Sequence, residues 1–383
     1  MDSSSFFLRR PFRLVAVQLL ALVCGAAGLT ACGSDPDTPG PGPDAVATTP
    51  YALTLPSNLP QNVQVPADNP LTVEGVQLGR MLFYEPLLSR TGTQSCGSCH
   101  QQSRAFTDGR ARALGVDGAE HPRNTMALGN VLWEKTLNWD GAATSLEQQA
   151  RLPIENPLEM HQPLAEGVRK LQQAERYPPL FRKAFGSSTI TEENVLKALA
   201  QFERTLISAN SRYDKYIRKE GSLTPTERAG AALFNNHPGE NGPYVRGASC
   251  HHCHISENGL FNSNDFFNNG LDVTFADAGR AAVTKQAADQ GKFRAPSLRN
   301  IALTAPYMHD GRFQTLEQVL DHYNEHVQTT SPGVDPNVLL SNTPGGTRLD
   351  LTATEKAQLL AFLRTLTDSS FVTDKRFSDP FKQ

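Results

Sequence analysis

The chain has little to spare of several things. Its 383 residues hold only six cysteines, two tryptophans and a net charge of −3. There is no basic excess, so a nucleic-acid partner finds no electrostatic footprint. Beyond the first 32 residues no apolar run is long enough to span a bilayer. Strand signals, alternating apolar and polar residues between turn formers, are few. Hydrophobic residues make up 39% and charged residues 20%, as in ordinary globular proteins. The length accommodates two domains.

What the N-terminus does carry is a targeting pattern. Arg9, Arg10 and Arg13 precede the apolar run LVAVQLLALVCGAAGLTA, and Cys32 follows it. This layout reads as an export signal over residues 1–32. Leu29–Cys32 resembles a bacterial lipobox, which implies cleavage before Cys32 and lipid on its sulfur. The expected location faces the periplasm, anchored to a bacterial membrane by that lipid alone. Ordinary signal cleavage nearby is the alternative and would leave a soluble periplasmic protein. Removing three arginines and one aspartate takes the net charge to about −5. The segment DPDTPGPGPDAVATTP follows, and proline and glycine at that density build no core. Residues 33–65 therefore read as a tether.

Scarce cysteine makes its placement informative. Cys24 lies in the signal and Cys32 at the lipid site. The other four fall in CGSCH, residues 96–100, and CHHCH, residues 250–254. Both are C-x-x-C-H, the attachment pattern for haem c. Cys96, Cys99, Cys250 and Cys253 would form thioethers, and His100 and His254 would each ligate an iron. A redox dithiol needs no trailing histidine, and a zinc site from both pairs leaves both histidines unexplained. No cysteine remains for a disulfide. By position His251 and His252 should face solvent.

Each motif follows a similar run, LTVEGVQLGRMLFYEPLLS and LTPTERAGAALFNN, with Gly79–Phe83 matching Gly230–Phe234. Thr224-Pro225-Thr226-Glu227 is a capping box with proline at the first helical position. Each half closes with an amphipathic segment, from Thr191 and from Thr352. The fold expected is mainly α, with two tandem cytochrome c-like domains, long loops and little strand. The first domain spans 66–220 and the second 221–383. Residues 311–326, GRFQTLEQVLDHYNEH, read as one amphipathic helix.

Beyond the haem motifs, LNWDGAATSLEQQARLPIENPLEMH (137–161), AFTDGR (105–110), RN (123–124), SLRNIALTAPYMHDGRF (297–313) and TLEQVLDHY (315–323) resemble the bacterial dihaem cytochrome c peroxidase / MauG family, in order from about residue 66 to 370. The resemblance implies a peroxidase that reduces hydrogen peroxide to water at the N-terminal haem. Electrons would pass from a small cytochrome c or copper protein through the C-terminal haem. The alternative is a MauG-like enzyme that uses peroxide, and a high-valent state shared by both haems, to oxidise residues of a partner protein. A non-catalytic dihaem carrier is a third reading from another class. Trp139 matches the tryptophan between the haems, and Glu159 the distal glutamate that moves the peroxide proton. Gln149 and Pro153 match distal-pocket positions. Asn124, with the carbonyls of Thr304 and Pro306, matches a calcium site, and all-oxygen ligands suit that ion. The family also contains homodimers.

Two departures matter. Many members carry a histidine in a Gly-His pair that caps the first iron. The corresponding ALGVDGAEHPRN holds only His121, against Pro122, so the first iron should be uncapped. Where classical members place a methionine as sixth ligand of the second haem, the pattern puts Tyr323. Met308 is fifteen residues earlier and is the alternative. A methionine raises a haem's potential, whereas an anionic phenolate favours the higher oxidation states. His322 and His326 would cover the haem edge or face solvent.

Overall fold

Thr72 opens the first helix of the computed structural model, which describes residues 47–239 and 245–382. Its hydroxyl accepts from the Gly75 N–H and satisfies one of the donors a helix start leaves over. This helix is one of eleven α-helices among the described residues. They are α1 (Val73–Tyr84), α2 (Cys96–Cys99), α3 (Leu146–Glu155), α4 (Leu164–Gln173), α5 (Tyr177–Phe185), α6 (Glu192–Glu203), α7 (Arg212–Ile217), α8 (Pro225–Asn235), α9 (Ala281–Thr284), α10 (Leu316–Asp321) and α11 (Ala353–Arg364). The only paired strands among these residues are β1 (Phe266–Phe267) and β2 (Phe293–Arg294), antiparallel, with Phe266 opposite Arg294. The mainly helical expectation agrees with this.

Two helix crossings organise the interior, and they are built alike. α1 packs on α6 through Gly79, and α8 packs on α11 through Gly230. A Cβ at Gly79 would stand 1.9 Å from the Ala198 carbonyl oxygen and 2.9 Å from Phe202 Cβ. A Cβ at Gly230 would stand 1.9 Å from the Gln358 carbonyl oxygen and 2.9 Å from Phe362 Cβ. Only a residue without a side chain lets the backbones this close. One turn on, Phe83 meets Phe202 at 5.3 Å and Phe234 meets Phe362 at 5.2 Å. Such aromatic pairs contribute about 1 kcal/mol beyond their burial. The first crossing sits in an apolar cluster with Leu78, Leu82, Tyr177 and Phe181, the second in one with Phe261, Leu359 and Leu366.

The capping box expected at Thr224 is present, and Thr191 and Thr352 cap their helices as well. Thr191 accepts from the Asn194 N–H, and Thr224 with Glu227 and Thr352 with Glu355 form reciprocal capping boxes. The stretch 206–211 ties the two clusters together. Ser208 N–H donates to Asn130 Oδ1 at 2.8 Å, and Asn300 Nδ2 donates to Ser208 Oγ at 3.0 Å. Asp214 and Arg299 form a buried ion pair at 2.7 Å, with both side chains 2% exposed.

Two expectations need correction. Residues 49–61 are not a free tether. Tyr51 N–H donates to Leu71 O, Leu59 is buried against Ala209 and Leu260, and Trp133 Nε1 donates to Pro60 O. Apolar Leu59 and the backbone pairing outweigh the local proline content. The signal, Cys32 and the tether up to residue 46 lie outside the described residues. Residues 311–326 are not one helix either. Residues 311–314 are not helical, α10 is short, and His322–His326 continue as a π-helix. No helix among the described residues is long and apolar enough to cross a membrane.

Replacing Gly79 or Gly230 by alanine drives a methyl group into a backbone carbonyl. Each is expected to destabilise the protein by roughly 3 kcal/mol or more in urea unfolding. Gly118→Ala, in open space but with φ of 79°, should lose only about 1 kcal/mol.

Candidate active site

The first haem motif folds as α2. Ser95 N–H donates to Ser98 Oγ at 3.0 Å at its start, and His100 N–H donates to Cys96 O at 2.8 Å at its end. The His100 ring has one nitrogen committed, because Nδ1–H donates to Phe106 O at 2.8 Å. That fixes the tautomer and leaves the Nε2 lone pair free for a ligand bond. Burial pushes the His100 pKa down, which keeps the ring neutral. Cys96, Cys99 and His100 line a cavity of about 540 Å³. Burial raises both thiol pKa values, Cys99 to about 11, so neither behaves as the reactive thiolate of a redox dithiol.

The same cavity is lined by Gln149 and Pro153 from α3 and by Glu159 on the turn after it. Asn156 ends α3 and shapes that turn. Its Oδ1 accepts from Leu158 N–H at 3.0 Å, and its Nδ2 donates to Glu159 Oε1 at 2.8 Å. His121 also reaches this wall, its Nε2 3.6 Å from Glu159 Oε1. Glu203 of α6 lines the cavity too. Burial pushes its carboxyl up to about 8, and Oε2 has no hydrogen-bond partner.

The second motif forms a 3₁₀ turn, Cys250–His252, and His254 Nδ1–H donates to Pro296 O at 3.0 Å. Burial takes the His254 pKa down to about 4. Cys250, Cys253 and His254 line a cavity of about 230 Å³ together with Tyr323 and Met308. The fifteen-residue spacing therefore does not separate these two side chains. Asn269 Nδ2 donates to Tyr323 Oη at 3.3 Å and lies 3.5 Å from Met308 Sδ. Tyr323 sits in the π-helix, a form that recurs at functional sites because one extra residue in the turn re-aims a side chain. His322 is buried, with Nε2 3.0 Å from Asn269 O, and does not line the cavity. His326 is exposed. His251 and His252 are partly buried, and His252 Nε2 accepts from Asn337 Nδ2 at 2.9 Å, so solvent-facing describes neither. Loop 335–339, which carries Asn337, folds over the motif and covers His252.

The two cavities share a wall of Asn124, Thr125, Met126, Ala127, Trp139 and Arg294. Trp139 Nε1–H donates to Asn124 O at 2.8 Å, and Arg294 N–H donates to Trp139 O at 2.8 Å. The Arg294 guanidinium forms a buried ion pair with Glu134. Asn124, Thr304 and Pro306 all lie on the second cavity. Among the described residues no group of three His, Cys, Asp or Glu side chains is arranged for a metal, so a cation near Asn124 would depend on amide and carbonyl oxygens.

One feature escaped the sequence reading. The segments from Asn130 and from Asn300 fold alike, at a constant offset of 170. Asn130 and Asn300 are both left-handed, at φ 65° and 60°. Bridges Leu137–Ala143 and Tyr307–Phe313 close equivalent turns. Ser145 and Thr315 cap equivalent helices, α3 and α10. The signal was present as Asp-Gly at 140 and 310 and as SLEQ and TLEQ at 145 and 315. The offset makes Trp139 equivalent to His309, and Pro153 equivalent to Tyr323.

The model of the di-haem cytochrome c peroxidase family matches residues 73–222. A methylamine utilization protein MauG of Methylophilus methylotrophus is 34% identical over 84% of this chain and 92% of its own length. A cytochrome c551 peroxidase of Nitrosomonas europaea is 35% identical over 67% of this chain and 75% of its own. A solved MauG-like protein associated with microbial copper homeostasis is 40% identical, with a TM-score of 0.75, over 87% of this chain and 100% of that one. With two cysteine–histidine cavities sharing a wall, and relatives matched along most of its length, the chain belongs to the bacterial dihaem cytochrome c peroxidase / MauG family and is a peroxidase-type oxidoreductase.

Proposed function

We propose that the chain reduces hydrogen peroxide to water at the first cavity, with electrons entering through the second from a redox-protein donor. The observation that carries this is the unlike pair at one repeated position. The side chain of Pro153 on the first cavity has no atom that could ligate a metal, whereas Tyr323 on the second has a phenol oxygen. In this reading residues 66–220 and 221–383 are tandem cytochrome c-like domains. One haem c is held by Cys96, Cys99 and His100, the other by Cys250, Cys253, His254 and Tyr323. When bound, the first haem supplies an iron with one open position for peroxide.

The protein's own groups do the rest. Glu159, fixed by Asn156, takes a proton from peroxide and returns it to the leaving oxygen. Gln149 adds a polar contact and Pro153 keeps the open side unligated. Trp139, in the shared wall, carries electrons between the cavities. Asn124 and the carbonyls of Thr304 and Pro306 hold calcium beside that wall. Lipid on Cys32 tethers the protein to a membrane on its periplasmic side.

A second reading has its own support in Asn269. Burial raises the Tyr323 pKa, but the Asn269 amide donor at 3.3 Å favours negative charge on its oxygen, and an anionic ligand favours higher oxidation states. That suits a MauG-like enzyme that oxidises residues of a partner protein. Adding peroxide to the fully ferric protein separates the two. Rapid spectral change without prior reduction favours the MauG-like reading, and a need for one-electron reduction favours the peroxidase with a redox-protein donor. In either case the resting protein should show one high-spin haem. Two low-spin haems would place a cap on the first iron.

Glu159→Gln should slow the reaction with peroxide by about 10²- to 10⁴-fold with both haems retained. An unchanged rate removes Glu159 from the mechanism. Tyr323→Phe should alter the absorption and EPR signals of one haem only. No change returns that ligand position to Met308.

A further inference from the structure

The loop before Asn124 is pinned to the turn that carries Glu159. Residues 113–121 fold back on themselves, with Gly115 N–H donating to Ala119 O and His121 N–H to Ala113 O. Val116 N–H donates to Glu159 O at 2.7 Å, and His161 pairs with Asp117 at 2.8 Å. A Cβ at Gly115 would lie 2.3 Å from Leu158 O, so only glycine lets the loop lie this close. These contacts deliver His121 Nε2 to 3.6 Å from Glu159 Oε1. Such contacts commonly tighten when a site is filled.

The other face of the ring is as specific. Arg123 N–H donates to His121 Nδ1 at 3.2 Å, and Arg123 O lies 3.1 Å from the same nitrogen. The backbone thus offers Nδ1 both a donor and an acceptor. Neutral with its proton on Nε2, the ring accepts from Arg123 N–H. As imidazolium, or neutral with its proton on Nδ1, it donates to Arg123 O. The charged groups around it do not compete. The Arg123 guanidinium is taken by Asp140 and Asp277, Arg90 pairs with Asp117, and Glu120 on the same loop is exposed.

We propose that His121 supplies protons to Glu159, acting through that carboxylate. This rests on the peroxide reading above. Hydrogen peroxide takes up two electrons and two protons to give two water molecules. The electrons come from the donor or partner of that reaction, and the protons must come from solvent. One carboxyl group can pass protons on but cannot be the source of both. The His121 Nε2–H bond breaks as an O–H bond forms at Glu159 Oε1. The ring, left with its proton on Nδ1, then takes a new proton at Nε2 from solvent.

The test uses the holoprotein. His121→Gln should react with peroxide about tenfold more slowly at pH 7–8 with both haem spectra unchanged. Its pH–rate profile should differ from that of the wild type, and it should regain rate with added imidazole. Independently of turnover, exchange of the His121 C2 hydrogen, read by mass spectrometry, should shift its midpoint down by about one pH unit in Glu159→Gln. A His121→Gln rate and pH profile equal to wild type, beside a slow Glu159→Gln, overturns the proposal and leaves the role of Glu159 standing. An unmoved His121 midpoint in Glu159→Gln also overturns it. A Glu159→Gln variant as fast as wild type removes the underlying reading, and this proposal with it.

Discussion

A single backbone unit, that of Asn124, receives both halves of the molecule. Its carbonyl accepts the Trp139 indole N–H at 2.8 Å, and its N–H donates to the His309 carbonyl at 2.7 Å. Trp139 and His309 occupy the same position in the repeated turn. The two turns therefore meet at one residue, and the wall between the cavities is as thin as a tryptophan and its neighbours. Buried peptide groups must be paired, so displacing Asn124 would orphan donors and acceptors on both sides at once. Arg294 reinforces the join, since its N–H holds the Trp139 carbonyl while its side chain is neutralised by Glu134. The rest of the functional geometry depends on this wall, because it is what makes two separate pockets neighbours.

The repeat sets the frame, and its departures from symmetry give the two cavities different chemistry. Equivalent glycines, Gly79 and Gly230, allow equivalent helix crossings, and equivalent histidines each commit Nδ1 to a backbone carbonyl. The departures fall on the lining positions. Pro153 faces one cavity where Tyr323 faces the other, and Asn138 stands where Met308 stands. The π-helix that follows α10 has no counterpart after α3, which instead ends at Asn156 and turns to present Glu159. One copy presents a carboxyl group to its cavity, the other a phenol.

Much of this was legible in the sequence. The C-x-x-C-H spacing is local chemistry, and the caps at Thr191, Thr224 and Thr352 are local hydrogen bonding, so both could be read directly. What could not be read depends on tertiary contact. Leu59 packs on Ala209 and Leu260, residues far along the chain, and turns a nominal tether into part of the body. Met308 stands fifteen residues before Tyr323, yet both side chains line the second cavity. The intervening chain is a turn, with Met308 itself at φ 73°. The approach of His121 to Glu159 needs the Val116–Glu159 hydrogen bond and a glycine at 115, which no periodicity reports. The offset of 170 lies in SLEQ and TLEQ, and the haem motifs hide it because they stand 154 residues apart.

The electrostatics of the first cavity single out one carboxylate. Four acidic side chains line it: Asp140, Glu155, Glu159 and Glu203. Asp140 is held by Arg123 at 2.6 Å, and Glu155 by Arg151 at 3.2 Å. Glu203 is kept protonated at neutral pH because burial lifts its carboxyl to about 8. Arg294, the cation nearest the shared wall, is spoken for by Glu134. Glu159 is left as the anion whose close partners are an amide, Asn156, and a titratable ring, His121. A fixed guanidinium there would hold the carboxylate ionised and make it a poor proton carrier. Asn156 and His121 instead give Glu159 an amide donor at 2.8 Å and an imidazole nitrogen at 3.6 Å, with no fixed positive charge against it.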